Sequence, residues 1–129
     1  MVRSVRSLPP RVLVIDDQPA VADVIHDALS ESGYTVTVAA SAAEGLSEMA
    51  RERADLVILD LGLPDMPGLD LLDRVHLEWP KVPVVILSGT EDPVLAQRTL
   101  AHGAADYVTK PFDIERLRQV VAVVLTMRR

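Results

Sequence analysis

The chain has 129 residues, of which 49% are hydrophobic and only 3% aromatic, so we expect one domain with an aliphatic core. It contains no cysteine, which excludes disulfides, thiolate metal sites and thiol catalysis and fits the reducing cytoplasm. The formal net charge of −6 argues against direct binding of nucleic acid by this segment, and no apolar run approaches the ~20 residues of a membrane span.

The chain begins with a basic segment, 1–10, that ends in two prolines. We expect this segment to be a disordered lead-in, which leaves 11–129 as the folded domain. The apolar run 11–16 predicts a first strand, and the helical spacing of 18–33 predicts a first helix. The residues expected on the core face of that helix are Val21, Val24, Ile25, Ala28 and Leu29.

The same alternation continues through the middle of the chain. Strand-like runs at 34–39 and 55–60 flank a helix predicted over 41–54. Ser41 and Glu44 have the spacing of a capping box, which predicts where this helix begins. The residues expected to face inward are Leu46, Met49 and Ala50.

The second half of the chain supplies the remaining elements. After a loop at 61–68, we predict helices at 69–79, 92–103 and 113–129 and strands at 82–88 and 105–109. Five continuous apolar strands that alternate with five helices predict an α/β fold, with a doubly wound parallel sheet covered on both faces.

The last helix carries two apolar stripes. The first, expected to face the core, contains Ile114, Leu117, Val121, Val124 and Leu125. The second contains Val120, Val123 and Met127 and indicates either a broad buried face or a surface for a partner or dimer.

Polar side chains follow four of the predicted strands. Asp16 and Asp17 end the first strand, Asp60 ends the third, Ser88 ends the fourth and Lys110 follows the fifth. Ligands of parallel sheets bind at the carboxyl ends of the strands, so we expect these groups to converge. Three carboxylates suit Mg²⁺, and a carboxylate beside that metal can attack phosphorus to form an aspartyl phosphate. Taken singly, these residues have structural explanations: Asp17 could cap a helix, Asp60 and Ser88 could form turns, and Lys110 could be a solvated lysine.

Four stretches of the sequence are similar to one known family. They are VLVIDDQP at 12–19, DLVILDLGLPDMPGLDLL at 55–72, VPVVILSG at 82–89 and GAADYVTKPF at 103–112. With this order and spacing, residues 11–127 resemble the receiver domain of two-component response regulators. The resemblance implies a flavodoxin-like five-stranded parallel sheet with strand order 2-1-3-4-5.

The resemblance also implies a role for individual positions. Asp60 matches the phosphoacceptor, Asp17 the direct Mg²⁺ ligand, Asp16 its acidic partner and Gly62 the residue whose backbone carbonyl completes the metal site. Ser88 matches the switch hydroxyl, Tyr107 the aromatic switch residue and Lys110 the lysine of the site. The peptide bond between Lys110 and Pro111 matches one that is cis in the family.

The implied activity is that of a phosphoprotein in a phosphorelay. A histidine kinase or phosphotransfer domain would supply the phosphoryl group, and the surface of the fourth helix, fifth strand and fifth helix would control an output partner. That surface is also a candidate for a homodimer contact. Such a domain catalyses only its own phosphorylation and dephosphorylation. The sequence leaves open whether it acts as a stand-alone protein or within a longer regulator or hybrid kinase.

Two other functions share parts of this pattern. A phosphatase of the haloacid-dehalogenase type also uses an aspartate nucleophile and Mg²⁺, but its nucleophile lies on the first strand in a D-x-D arrangement. A non-phosphorylated, flavodoxin-like binding module would carry a phosphate-cradling loop after the first strand, where this chain has DDQP at 16–19.

Gly62 departs from the larger side chains of many receivers, which predicts an open acceptor pocket.

Overall fold

The computed structural model describes residues 8–89 and 92–127. Its strands are β1 (Arg11–Ile15), β2 (Thr35–Ala39), β3 (Leu56–Asp60), β4 (Val84–Ser88) and β5 (Asp106–Thr109). Its helices are α1 (Pro19–Glu31), α2 (Ala42–Arg51), α3 (Gly68–Glu78), α4 (Pro93–Ala101) and α5 (Ile114–Met127). Residues 1–7 of the predicted lead-in and the last two residues of the predicted fifth helix lie outside the described part.

The five strands form one parallel sheet in the order β2-β1-β3-β4-β5, as the resemblance implied. The register places Ile15 of β1 beside Ala39 and Leu59, and Ser88 of β4 beside Thr109. Because β1 lies between β2 and β3, the chain reverses its direction of winding there. This reversal opens a crevice at the carboxyl ends of β1 and β3.

The core has two halves, one on each face of the sheet. Residues that alternate along β1 and β3 face opposite sides, which explains why these strands are apolar throughout. One half packs strand residues against α2 and α3 through Met49, Leu71, Leu72 and Val75. The other packs them against α1 and α5 through Ile25, Leu29, Leu117, Val120 and Val121.

Local contacts at α2 explain where it begins and how closely it packs. Oγ of Ser41 accepts a hydrogen bond from the backbone N–H of Glu44, and Oε1 of Glu44 accepts one from Ala40. The predicted capping interaction is therefore confirmed, with the glutamate reaching one residue beyond the cap. A Cβ at Gly45 would overlap the side chain of Ile15, so α2 approaches β1 at a distance that glycine permits.

Two predicted orientations are wrong: Val24 of α1 is 54% exposed, and Ala50 of α2 is exposed. Val120 of α5 is buried, which agrees with the broad buried face that was one interpretation of its stripe. In α1 the buried positions are Ala22, Ile25, Ala28 and Leu29, so the core stripe is rotated by about an eighth of a turn from the predicted one. None of the helices in the described ranges is long and apolar enough to cross a membrane.

Candidate functional site

Neighbouring strands bring three carboxylates together at the carboxyl edge of the sheet. Asp16 follows β1 and Asp60 ends β3, and these strands pair in parallel with Ile15 beside Leu59. The backbone N–H of Asp16 donates to the carbonyl of Ala39 at 3.0 Å, so Asp16 continues the sheet by one residue. One carboxylate oxygen from each of Asp16, Asp17 and Asp60 lies within 4.8 Å of the others. The predicted convergence of the acidic residues is thus present.

The three carboxylates differ in their exposure to solvent. Asp16 and Asp60 are buried, with 2% and 5% of their surface exposed, whereas Asp17 is exposed. A buried carboxylate is costly unless it is paired or hydrogen-bonded. Both buried carboxylates contact the ammonium of Lys110, whose Nζ lies 3.0 Å from Oδ2 of Asp16 and 3.3 Å from Oδ2 of Asp60. One cation therefore pairs with two of the three carboxylates.

The donor set fits Mg²⁺. Oδ2 of Asp16 is buried and accepts no hydrogen bond of good geometry from the described residues, although it lies in ion-pair range of Lys110. The ion pair holds at this distance because an ammonium attracts an oxygen with little directional preference. An oxygen without an aligned donor, grouped with two other carboxylates, matches the hard oxygen ligands that Mg²⁺ prefers.

Lys110 follows β5, which is an edge strand of the sheet, and its side chain reaches the site from there. Its backbone N–H donates to the carbonyl of Ser88 at 2.7 Å, which anchors the end of β5 to β4. The peptide bond between Lys110 and Pro111 is cis, as the resemblance implied. The Lys110 side chain then crosses to β3 and β1, where it is only 14% exposed. A point charge on a flexible stem suits this reach.

The backbone holds the carboxylate of Asp60 on its other side. Oδ1 of Asp60 accepts a hydrogen bond from the N–H of Gly62 at 3.1 Å, while Oδ2 faces Lys110. A Cβ added at Gly62 would lie 3.6 Å from Oδ1, which is an ordinary contact distance. A larger residue at this position would therefore lie against the Asp60 carboxylate, where glycine leaves the space open.

The remaining predicted residues lie on the two strands beyond β3. Ser88 is buried at the end of β4, one strand away from Asp60, and pairs with Thr109 in the sheet. Tyr107 lies two residues before Thr109 on β5 and is partly buried against the core half that contains α3. Ser88 is thus beside the acidic cluster, whereas Tyr107 lies further from it on the adjacent strand.

Two polar residues at this edge were missed by the sequence analysis. Gln18, just before α1, accepts a hydrogen bond from Nζ of Lys110 at 2.8 Å. Asp65, in the loop after β3, accepts hydrogen bonds from the N–H groups of Ala42 and Ala43, each at 3.0 Å. These two bonds lower the pKa of the Asp65 carboxyl below its ordinary value. Neither contact has a local sequence signal, since the partners are distant along the chain.

An open groove of about 740 Å³ runs from the acidic cluster between α1 and the start of α5. Asp17 and Asp60 lie at its polar end, and Val21, Val24 and Phe112 line its apolar part. The exposure of Val24, which was wrongly expected in the core, results from its position in this groove. The acidic site therefore has an apolar surface next to it.

The model of the response regulator receiver domain family matches residues 12–122 of this sequence. The chain belongs to the response regulator receiver family. Members of this family are signalling phosphoacceptors rather than enzymes, and an aspartate cluster such as that of Asp16, Asp17 and Asp60 is typical of their Mg²⁺ site. This membership favours the receiver interpretation over the phosphatase and the flavodoxin-like binding module.

Curated relatives of this receiver include two proteins of Mycobacterium tuberculosis. The probable transcriptional regulatory protein TcrX is 39% identical over 109 residues, which are 84% of this chain and 47% of TcrX. The transcriptional regulatory protein KdpE is 43% identical over 114 residues, which are 85% of this chain and 50% of KdpE. The chain thus spans about half the length of these relatives.

Solved structures show the same fold over nearly the whole receiver. A CheY-like receiver domain protein from Methanospirillum hungatei has a TM-score of 0.87 and 31% identity, covering 92% of this chain and 94% of the other. The receiver domain of NtrX from Brucella abortus has a TM-score of 0.86 and 32% identity, covering 90% of this chain and 98% of the other.

Proposed function

We propose that Asp60 accepts a phosphoryl group from a phosphohistidine of a histidine kinase or a phosphotransfer domain. The observation that carries this proposal is the grouping of three carboxylates within 4.8 Å of one another beside the ammonium of Lys110. Asp60 and Asp16 each have a backbone N–H donor and the ammonium close to their oxygens, but of these two only Asp60 lines the open groove. These groups orient one carboxylate toward the open groove.

The proposed metal ligands are the carboxylates of Asp16, Asp17 and Asp60, with the backbone carbonyl of Gly62. Mg²⁺ bound there would neutralise negative charge on the carboxylates and on an incoming phosphoryl group. The exposure of Asp17 leaves the pocket accessible to solvent, which suits a cation that retains several waters.

In the proposed reaction an oxygen of Asp60 attacks phosphorus in line with the bond to the donor imidazole. A P–O bond forms, the P–N bond breaks, and the leaving imidazole takes a proton from solvent. Lys110 stabilises the transferred oxygens because its ammonium already lies 3.3 Å from the carboxylate that would carry them. Hydrolysis of the acyl phosphate by water later restores the carboxylate and releases phosphate.

The groove beside the site offers a surface for the phosphodonor. Its apolar part is formed by α1 and by the segment between β5 and α5, and it leads directly to Asp60. A protein that presents a phosphohistidine has to bring its imidazole close to Asp60. Apolar contacts with Val21, Val24 and Phe112 would hold it there.

The proposed response to phosphorylation passes from β4 to β5. The product adds roughly −1.5 to −2 charge next to Asp16 and Asp17. Ser88 would turn its hydroxyl toward the new oxygens, and the ring of Tyr107 would move into the space that Ser88 leaves. The surface of α4, β5 and α5 would then change, because Tyr107 belongs to this surface.

We further propose that residues 11–129 form the receiver unit and that it acts in the cytoplasm on an output domain or protein. The matched relatives are transcriptional regulators about twice as long as this chain, which supports an output in gene regulation. Exposed apolar side chains on α4 and α5 support a contact with the output or a homodimer. They are Val94, Leu100, Val123 and Met127.

Phosphorylation by a small donor tests the central proposal. We would incubate the protein with phosphoramidate or acetyl phosphate, with Mg²⁺ or with EDTA, and measure its intact mass. The expected result is one added phosphoryl group that requires Mg²⁺ and is lost in Asp60→Asn. Asp70→Asn, which changes an exposed carboxylate on α3, serves as the matched control. An adduct that persists in Asp60→Asn would show that another residue is the acceptor.

A further inference from the structure

Gln18 joins two parts of the acidic site. Its backbone N–H donates to Oδ1 of Asp16 at 2.9 Å, and its side-chain Oε1 accepts from Nζ of Lys110 at 2.8 Å. Gln18 and Lys110 are 92 positions apart in the sequence. A single residue at the start of α1 is thus bound to both a carboxylate and the cation of the site.

The chemistry of the two groups fixes the orientation of the amide. An ammonium group donates hydrogens and accepts none, so the carbonyl oxygen of Gln18 has to face Lys110. An amide oxygen is uncharged, and it therefore holds the ammonium without adding negative charge to a pocket with three carboxylates. A hydrogen bond with one charged partner is also stronger than a neutral one.

Lys110 has three N–H donors, and three oxygens lie within 3.3 Å of its nitrogen. They are Oδ2 of Asp16 at 3.0 Å, Oδ2 of Asp60 at 3.3 Å and Oε1 of Gln18 at 2.8 Å. The first two belong to carboxylates proposed to hold Mg²⁺. Among these three acceptors from the described residues, Gln18 differs from Asp16 and Asp60 because its amide is not a proposed metal ligand.

We propose that Gln18 is a positioning residue that keeps the ammonium of Lys110 directed at Asp60. Its contact does not compete with metal binding, so it persists when the carboxylates are engaged. This inference rests on the role of Lys110 in the proposed function. It assigns the placement of the Lys110 ammonium to Gln18, at the start of α1. Gln18 acts on the reaction through Lys110 rather than on the phosphoryl group itself.

Replacing Gln18 is a clean test because its side chain supports the site and not the helix. Gln18 occupies the N-cap of α1, but its side chain makes no capping hydrogen bond. Gln18→Ala therefore removes the contact with Lys110 while the backbone N–H can still bind Asp16. Gln18→Glu keeps an acceptor of the same length and adds a negative charge. Gln119→Ala, an exposed glutamine on α5, is the matched control.

The first measurement is the mobility of the Lys110 side chain. It is determined by NMR of the Cε and Nζ atoms in metal-free protein. We expect an ordered ammonium in the wild type, Gln18→Glu and Gln119→Ala, and a more mobile one in Gln18→Ala. This readout requires neither metal nor phosphoryl transfer. Unchanged order of Lys110 in Gln18→Ala would overturn the inference.

The second measurement is the phosphorylation rate with acetyl phosphate and Mg²⁺. We expect Gln18→Ala to lower the rate about three- to tenfold, which corresponds to the net free energy of one typical hydrogen bond. Gln18→Glu should also be phosphorylated more slowly than the wild type, although Lys110 is ordered in this variant. The added carboxylate repels the anionic acetyl phosphate. The dissociation constant of Mg²⁺, from calorimetry, should stay within about twofold in Gln18→Ala, since the amide is not a proposed ligand.

The two measurements separate this inference from the proposed function. An unchanged rate in Gln18→Ala, with normal phosphorylation of the wild type, would overturn the role of Gln18 and leave the function intact. If the wild type takes no phosphoryl group, the proposed function fails. The NMR comparison then still decides whether Gln18 positions Lys110.

Discussion

The ammonium nitrogen of Lys110 lies 3.0 Å from Oδ2 of Asp16, although the two residues come from strands separated by β3 and β4. The lysine reaches over the ends of both intervening strands to do so. Its charge offsets part of the repulsion among Asp16, Asp17 and Asp60, whose oxygens lie within 4.8 Å of one another. The balance is incomplete, and two stability predictions of opposite sign follow from this.

Asp60→Asn should stabilise the metal-free protein. The substitution removes one of three crowded negative charges and keeps an oxygen that can accept the N–H of Gly62. We expect the free energy of unfolding in EDTA to rise by about 1 kcal/mol, a fraction of the repulsion between unit charges at this distance. Urea denaturation measures this change, and the gain that Mg²⁺ gives the wild type should shrink in the variant. A less stable Asp60→Asn protein in EDTA would contradict the prediction.

Lys110→Met should have the opposite effect. Methionine keeps the apolar stem of the side chain but removes the cation that faces two buried carboxylates. We expect the metal-free free energy of unfolding to fall by about 2 kcal/mol, less than for a fully buried pair because Lys110 is 14% exposed. Mg²⁺ should restore part of the loss. Lys81→Met, at an exposed lysine, is the control, and an equal loss in both variants would show that the ion pairs are unimportant.

Much of the site could be predicted from the sequence because it depends on strand order. Asp16 and Asp60 follow apolar runs that form adjacent parallel strands, so their proximity results from topology rather than from side-chain detail. Ser88 ends β4 and Lys110 follows β5, so topology brings them to the same edge. The resemblance then matched each of these positions to a role.

Contacts that depend on side-chain reach could not be predicted. The hydrogen bond between Gln18 and Lys110 joins residues that are 92 positions apart in the sequence. The hydrogen bonds between Asp65 and the start of α2 span 22 and 23 positions. No local pattern in the sequence marks either contact. The orientation of Val24 was also wrong. Helical spacing alone does not fix the angle at which a helix faces the sheet, and the groove beside α1 leaves this valine exposed.

The hydrogen bonds of Asp65 predict a pH dependence of stability. Its pKa is lowered by the N–H groups of Ala42 and Ala43, so its ionised form stabilises the fold. This contribution is fully present above the ordinary aspartate pKa of about 3.9 and is lost as the pH falls through the lower folded-state value. We expect Asp65→Asn to be less stable than the wild type near neutral pH, with the difference closing in acid. Urea unfolding across this range measures it, and a difference independent of pH would contradict the prediction.

Val123→Glu should weaken self-association of the phosphorylated protein. Val123 is 54% exposed on α5, on the same helix as the 74% exposed Met127. A charge in an apolar contact between two copies would have to be desolvated. We expect the phosphorylated wild type to sediment as a larger species than the variant, whose phosphorylation rate should be unchanged. Ala122→Glu, at the adjacent exposed residue, is the control. A monomeric wild type under all conditions would exclude the dimer.

Gly62→Met should lengthen the lifetime of the aspartyl phosphate. A Cβ at Gly62 lies at ordinary contact distance from Asp60, and the backbone there is outside the positive-φ region, so the chain accepts a larger residue without strain. Its side chain would cover the acceptor from the open side and restrict the approach of water. We expect hydrolysis to slow about two- to fivefold in Gly62→Met, and less in Gly62→Ala, whose methyl group covers less of the pocket. The decay of the phosphorylated mass after removal of the donor measures both rates. Equal lifetimes in all three proteins would show that access past Gly62 does not limit hydrolysis.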